Sequence, residues 1–205
     1  MKTILFDFGN VVAFFDHGIT VAKLLPHSEL AAPELMTAIY GGRAESDYER
    51  GLLTTREFFE AIRTPAKLTC TFEDFEAAFV DIFTPNAAVC DLVPFLKPRY
   101  RLMLASNTNA AHYADYSAKF AEVLRHFDAL CPSHTVGHRK PTAGYFAALQ
   151  PLAEAEPAEC LFIDDLPENI GAAERHGWRG LVYSPSVDLP AALRGLGIQF
   201  DRPLR

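Results

Sequence analysis

Five short apolar runs, separated by stretches of helical periodicity, set the pattern of this chain. Residues 3–7 read Thr-Ile-Leu-Phe-Asp, apolar and unbroken up to a final carboxylate, as expected of a short buried strand. Similar runs lie at 101–105, near 128–132, at 160–164 and at 181–184. From residue 100 onward they alternate with helical patterns over 110–124, 142–151 and 167–176. Such alternation predicts a parallel sheet with right-handed crossovers. The interval between the first two runs is different. Residues 17–85 carry helical periodicity and little strand signal. Thr54-Thr55-Arg56-Glu57 before Phe58-Phe59 forms a capping box, and Thr71 to Asp74 a weaker one. Gly41-Gly42 and Gly51 punctuate this helical block. Asn86–Leu96 reads as one further amphipathic helix, stopped near Pro98, and the tail from Asp188 as a single short helix on the edge of the core. The predicted architecture is α/β: a doubly wound, Rossmann-like parallel sheet built from residues 1–15 and 87–205, with a helical subdomain, 16–86, inserted after the first strand.

Composition narrows the function. The chain has 205 residues, 49% of them hydrophobic, enough for one well-buried core and a modest insertion. Net charge is −7, with acids and bases scattered rather than gathered in a basic stripe, so no nucleic-acid partner is expected. A phosphorylated substrate remains compatible, because the local field near a metal outweighs the net charge. No stretch approaches the ~18–20 apolar residues that span a bilayer. The chain enters a strand almost at once, without the three parts of a signal peptide. Cys70, Cys90, Cys131 and Cys160 form no close pair, so reduced thiols and a cytoplasmic protein are expected. The absence of a C-x-x-C pair argues against structural zinc.

Four segments carry candidate chemistry: Asp7, Ser106-Asn107, Lys140 and Asp164-Asp165. Open parallel sheets hold ligands beyond the carboxyl ends of their strands, so these groups are expected to converge there. Asp7 suits a nucleophile or a metal ligand, and equally a strand-end carboxylate accepting backbone hydrogen bonds. Asp164 and Asp165 repel each other unless a cation neutralises them. A helix dipole needs only one acid, so a hard cation explains the pair better, and Mg²⁺ suits few carboxylates with water and phosphate. Pro167 fits a first helical turn, and Asn169, one turn along, can orient an Asp or a metal-bound water. Ser106-Asn107 precedes a helix whose N-terminal N–H groups can bind an anion; ordinary capping by Asn107, Thr108 or Asn109 is the other reading. Pro141 holds Lys140 in extended backbone.

Taken together, these segments resemble the haloacid dehalogenase superfamily of aspartate-nucleophile hydrolases. Phe6-Asp7-Phe8-Gly9-Asn10-Val11-Val12 is similar to the first motif, Ser106-Asn107-Thr108-Asn109 to the second and Gly137-His138-Arg139-Lys140-Pro141 to the third. Phe162-Ile163-Asp164-Asp165 through Asn169 is similar to the fourth. The inserted block, with Tyr48-Glu49-Arg50-Gly51, resembles the small helical cap of one subgroup. The resemblance implies a Mg²⁺-dependent phosphatase in which Asp7 forms an aspartyl-phosphate that water hydrolyses. It implies Mg²⁺ held by Asp7, the Gly9 carbonyl and Asp165, with Asp164 binding directly or through water. Ser106 and the Phe8 and Asn107 backbone N–H groups would hold the phosphoryl oxygens, and Lys140 would neutralise charge beside Asp7. The implied partner is a small phosphorylated metabolite, bound by a monomer or dimer.

Gly9 departs from the commonest pattern, which places a second Asp there as general acid and base. Such catalysis is typically worth ~10²–10⁴-fold, so the proton is expected from water, the substrate or a cap residue. Asp-x-Gly-Asn also resembles sugar-phosphate phosphatases active on glucose 1-phosphate. A 2-haloacid dehalogenase of the same superfamily, and a silent phosphate-binding protein, are the competing readings. Asp7-Phe8-Gly9 spells the kinase metal triplet, but no glycine-rich or catalytic loop precedes it. Phe14, Phe15, Phe58 and Phe59 are expected in core and cap packing, whereas Arg43, Tyr48 and Arg50 face either substrate or solvent.

Overall fold

The computed structural model describes residues 1–201. Among them, strands β1 (Thr3–Phe6), β2 (Ala13–Phe15), β3 (Phe83–Pro85), β4 (Arg101–Ser106), β5 (Ala129–Pro132), β6 (Cys160–Asp164) and β7 (Arg179–Val182) form two sheets. The larger has the order β5-β4-β1-β6-β7, and every pairing in it is parallel. Ile4 and Phe6 of β1 pack with Leu102, Leu104, Leu161 and Ile163 on one face. Leu5 packs with Met103, Ala105 and Phe162 on the other. Both faces are buried, which is why these strands read as continuous apolar runs without a polar alternation. The chain builds outward from β1 to β4 and β5, then returns to lay β6 and β7 on the opposite side. The order therefore reverses at β1, where such sheets open a crevice.

Helices α1 (His17–Leu24), α2 (Ala32–Tyr40), α3 (Arg43–Glu49), α4 (Thr55–Arg63) and α5 (Phe72–Val80) follow the first sheet strand. They enclose an apolar cluster of their own, including Leu35, Tyr48, Phe58, Phe59, Phe75 and Phe79. Thr54 and Thr71 each accept from the backbone N–H three residues on, while Glu57 and Asp74 reach back to the caps. The remaining helices are α6 (Ala87–Cys90), α7 (Val93–Leu96), α8 (Ala110–Lys119), α9 (Ala121–Leu124), α10 (Ser133–Val136), α11 (Ala143–Ala153), α12 (Pro167–Arg175) and α13 (Leu189–Gly195). In the tail, Asp188 caps α13, and Leu189, Leu193, Ile198 and Phe200 join the core. Among the described residues no helix is long and apolar enough to cross a membrane.

Several boundaries differ from expectation. β2 and β3 form an antiparallel pair where little strand signal exists, joining the entry and exit of the helical block. The helix expected over 86–96 is two short ones, because Pro94 would clash with the preceding turn inside a continuous helix. That expected over 110–124 breaks at Phe120, whose ring packs edge-on against Phe8 at 5.2 Å. The last strand begins two residues earlier than its apolar run, and a Cβ on Gly180 would lie 2.3 Å from Ile170 of α12. The end of the expected core, residues 202–205, lies outside the described residues.

Gly51 seats the helical block on the sheet domain. Its φ is +72°, and a Cβ there would stand 2.0 Å from the His134 carbonyl oxygen of α10. Gly51→Ala combines a left-handed conformation, costing about 1–2 kcal/mol, with a backbone clash. A lower unfolding midpoint together with a raised KM is the expected result; an unchanged KM would mean that this contact does not shape the cleft.

Candidate active site

The register of the sheet sets the site. Phe6 lies opposite Leu104 on one side and Ile163 on the other. Asp7, Ser106 and Asp164 thus emerge together at the carboxyl ends of three adjacent strands. The Asp7 N–H still donates to the Ile163 carbonyl (2.8 Å), which fixes its backbone beside Asp164.

Lys140 joins the two carboxylates. Its Nζ stands 2.7 Å from Asp7 Oδ1 and 2.6 Å from Asp164 Oδ2, and its side chain is 1% exposed. Burial pulls the ammonium pKa down, but Asp7 and Asp164 outweigh it, so Lys140 stays charged. For Asp7, burial is the largest effect, and Asp164 and Asp165 add to it. Together they push its pKa up to about 7 against the pull of Lys140.

The adjacent acids differ in environment. Asp164 is fully buried and already engaged: Oδ1 accepts from Leu166 N–H and Asn169 Nδ2 (both 2.9 Å), and Oδ2 accepts from Lys140. Asp165 is partly exposed and accepts from Asn10 Nδ2 at 3.0 Å. Asn10 adopts φ 55°, a conformation that asparagine tolerates better than most residues. Burial, followed by Asp164, raises the Asp165 pKa, with Asn10 opposing.

Asp7, Asp164 and Asp165 each offer an oxygen within 4.8 Å of the others. One ammonium serves three carboxylates here, and the two that line the cleft, Asp7 and Asp165, both have raised pKa values. An all-oxygen, anionic donor set of this kind fits a hard divalent cation such as Mg²⁺. Asp7 Oδ2 and Asp165 retain the most free acceptor capacity for it, whereas Asp164 already accepts three hydrogen bonds and keeps one acceptor site, on Oδ2.

The other expected site residues line a cleft of about 260 Å³ that runs from Asp7 to α3. Phe8, Gly9, Ser106 and Asn107 all border it. Two of them also make contacts within the site. The Phe8 N–H donates to Asp7 Oδ1 at 2.6 Å. The Asn107 side chain clasps the Lys140 backbone: Nδ2 donates to the Lys140 carbonyl (2.9 Å), and Oδ1 accepts its N–H (2.8 Å). Asn107→Ala removes two hydrogen bonds worth together about 1–3 kcal/mol. Denaturant unfolding should report that loss, and the displaced Lys140 should lower kcat roughly 10-fold or more, since small displacements at a reacting centre cost up to ~10²-fold. An unchanged kcat would show that Lys140 holds its place without the clasp.

The aromatic and cap expectations resolve separately. Phe58 and Phe59 are cap core, and Phe15 packs against the sheet-domain core while also lining the cleft. A Cβ on Gly9 would stand 2.9 Å from the Phe15 ring. Arg43 and Arg50 both pair with Asp47, with Arg43 almost fully exposed. Tyr48 is buried: its hydroxyl bonds Thr55 Oγ1 (2.7 Å) and accepts the Ala111 N–H (3.1 Å) across to α8. The α3 residues that border the cleft are instead Glu45 and Glu49. They sit four apart on one helix face, a spacing visible in the sequence but shared by many solvated helices. His17 and His112 also border it; burial lowers their pKa to about 4 and about 3, so both are neutral near pH 7.

Known proteins share this fold. A HAD-like family hydrolase from Porphyromonas gingivalis is 25% identical, with a TM-score of 0.82 over 97% of this chain and 99% of that one. A HAD family enzyme from Bacteroides thetaiotaomicron, solved in complex with magnesium and inorganic phosphate, is 22% identical, with a TM-score of 0.79 over 95% and 100%. Flavin mononucleotide hydrolase 1 of Arabidopsis thaliana is 34% identical over 67 residues, which are 33% of this chain and only 27% of that protein's length. Residues 1–177 match the haloacid dehalogenase-like hydrolase family along most of the fold described above. With its parallel sheet, inserted helices and strand-end acids, this chain belongs to the haloacid dehalogenase-like hydrolases.

Proposed function

We propose that this hydrolase acts on small phosphate monoesters through an aspartyl-phosphate on Asp7. The observation that carries the reading is Asp7 held beside Lys140 at 2.7 Å, with Asp165 completing an oxygen cluster at the cleft. A free Asp7 oxygen attacks phosphorus, and the bond from phosphorus to the ester oxygen breaks. Water then attacks the phosphoaspartate, releasing inorganic phosphate and restoring the carboxylate. Lys140 offsets charge on Asp7 and on the transferring group, and Ser106 lies where it can donate to a phosphoryl oxygen. Mg²⁺, when held by Asp7, the Gly9 carbonyl and Asp165, supplies the charge that lets an anionic nucleophile approach an anionic ester. Asp164 acts by positioning Lys140. Displacement of halide at carbon by Asp7 needs no such cation, so the acidic cluster favours phosphoryl transfer.

Cleft size bears on the substrate. About 260 Å³ falls below the roughly 300–1,000 Å³ of sites for drug-sized ligands. A small metabolite, sugar phosphates included, fits better than a flavin nucleotide. We assign the reaction to the cytoplasm, where free thiols such as Cys70, Cys90, Cys131 and Cys160 stay reduced. The test is a screen of phosphorylated metabolites, with flavin mononucleotide and 2-chloropropionate as comparison arms, with and without Mg²⁺ and with Asp7→Asn as blank. Phosphate release equal in the blank, or chloride release without phosphate release, would overturn the reading.

Gly9 leaves the leaving oxygen to take its proton from water, the substrate or a cap residue. Introducing an acid at Gly9 alone collides with Phe15. The double variant Gly9→Asp, Phe15→Ala is expected to gain most on alkyl phosphates, by about 10²-fold, the lower end of general-acid effects. Equal gains on alkyl and p-nitrophenyl phosphate would count against a missing proton donor.

A further inference from the structure

We propose that Glu45 and Glu49 of α3 act as a charge filter, admitting leaving groups with neutral or hydrogen-bond-donating ends and rejecting those that carry a second carboxylate or phosphate. The inference rests on the phosphatase reading and identifies the substrate class of the same cleft. Any ester whose phosphorus lies against Asp7 must project its other end into the space that these residues border. The charged groups facing that space are Asp7, Asp165 and Lys140 at the floor and Glu45, Glu49 and Arg139 toward the cap. His17 and His112 add no positive charge. The floor has Lys140 and a fitting place for a divalent cation. The cap side has two carboxyl groups, Glu49 paired with Arg139 and Glu45 largely protonated near pH 7, and one guanidinium.

Arg139 is already paired with Glu49. Its Nη2 stands 2.9 Å from Glu49 Oε2, whose side chain is 14% exposed. Among the described residues neither Glu49 Oε2 nor Arg139 Nε makes a well-formed hydrogen bond, so the pair retains capacity for a ligand group. Glu45 lies one turn away on the same face. Burial, then Glu49, pushes its pKa up to about 8, with Arg139 opposing. A second anion placed here would meet the Glu49 carboxylate and compete for a guanidinium that Glu49 already pairs. A hydroxyl meets none of these penalties and finds both an acceptor and a donor.

A matched pair of esters tests the filter. Glycerol 3-phosphate and 3-phosphoglycerate differ only in having a hydroxymethyl or a carboxylate at the far end. With Mg²⁺ present, kcat/KM is expected to favour glycerol 3-phosphate at least 10-fold. In Glu45→Gln/Glu49→Gln, which frees Arg139 without changing side-chain size, the ratio should shrink at least 10-fold or invert. p-Nitrophenyl phosphate, run in parallel, reports the phosphatase reading itself and shows that the variant is folded and active. Where neither ester turns over, dissociation constants from calorimetry give the same ratio. Equal preference in the natural protein, or a ratio unchanged in the double variant, overturns the filter while leaving the phosphatase reading intact. No release from p-nitrophenyl phosphate counts against the phosphatase reading alone.

Discussion

Asp7→Asn is expected to reduce phosphate release by on the order of 10⁴- to 10⁶-fold, the range typical when a nucleophile is removed, and to leave a folded protein. The fold survives because Lys140 keeps its second partner, Asp164, at 2.6 Å. The contrast is Lys140→Met. It leaves Asp7 and Asp164 buried without their shared cation, and breaking a buried pair typically costs about 3–5 kcal/mol. Both variants should be inactive, but only the second should unfold readily. A further signature follows from proton linkage. In the metal-free protein the Asp7 pKa is raised from 3.8 to about 7, so the folded state binds a proton that the unfolded state has lost. With respect to this group, stability is greatest below the unfolded pKa of 3.8 and declines as pH rises toward 7. The amide of the Asp7→Asn variant cannot titrate, so that protein should lose the decline and exceed the natural protein's melting temperature at about pH 8 without metal. Parallel pH–stability curves for the two proteins would show that Asp7 is not the strained carboxylate, and residual phosphate release above about 1% would exclude it as nucleophile.

Much of this site is legible along the chain because of how parallel sheets are built. Strands buried on both faces have no polar positions until they end, so Asp7, Ser106 and Asp164 stand out as the first charged or hydroxylated residues after apolar runs. What escapes is long-range or ambiguous. β2 and β3 are three residues each and pair across a long stretch of chain, Ala13 with Pro85, so neither run carries a signal of its own. β7 lies at the sheet edge with half-exposed residues, which blurs its start. Glu45 and Glu49 look like any acid pair on a solvated helix, and only the docking of α3 over the crevice turns them inward. Asn107 shows a general limit: its position before a helix predicts a cap, while its side chain in fact reaches 33 residues along the chain to hold Lys140.

The second large effect concerns the cation. Adding Mg²⁺ to metal-free protein should raise the melting temperature, and Asp165→Asn should abolish that rise along with most activity. Three carboxylates offer oxygens within 4.8 Å of one another and Lys140 contacts only two of them, so a divalent ion relieves repulsion that the folded state otherwise carries. A ligand at 100 times its Kd stabilises by about 2.7 kcal/mol. For a chain of this size, that corresponds to roughly 5–10 °C at about 2–4 °C per kcal/mol. Asp165 is the telling position because it touches neither Lys140 nor the backbone turn that Asp164 secures. Among the described residues its side-chain partner is Asn10, whose Nδ2 donates to Asp165 Oδ2 at 3.0 Å. Asp165→Asn therefore removes a metal oxygen and one negative charge while leaving Asp7, Lys140 and Asp164 in place. Asp164→Asn should behave differently. It weakens the hold on Lys140 and on the start of α12, so it should lower stability even without metal. If Mg²⁺ shifts the melting of Asp165→Asn as far as that of the natural protein, the ion is bound elsewhere, and the acidic cluster at the crevice is not its site.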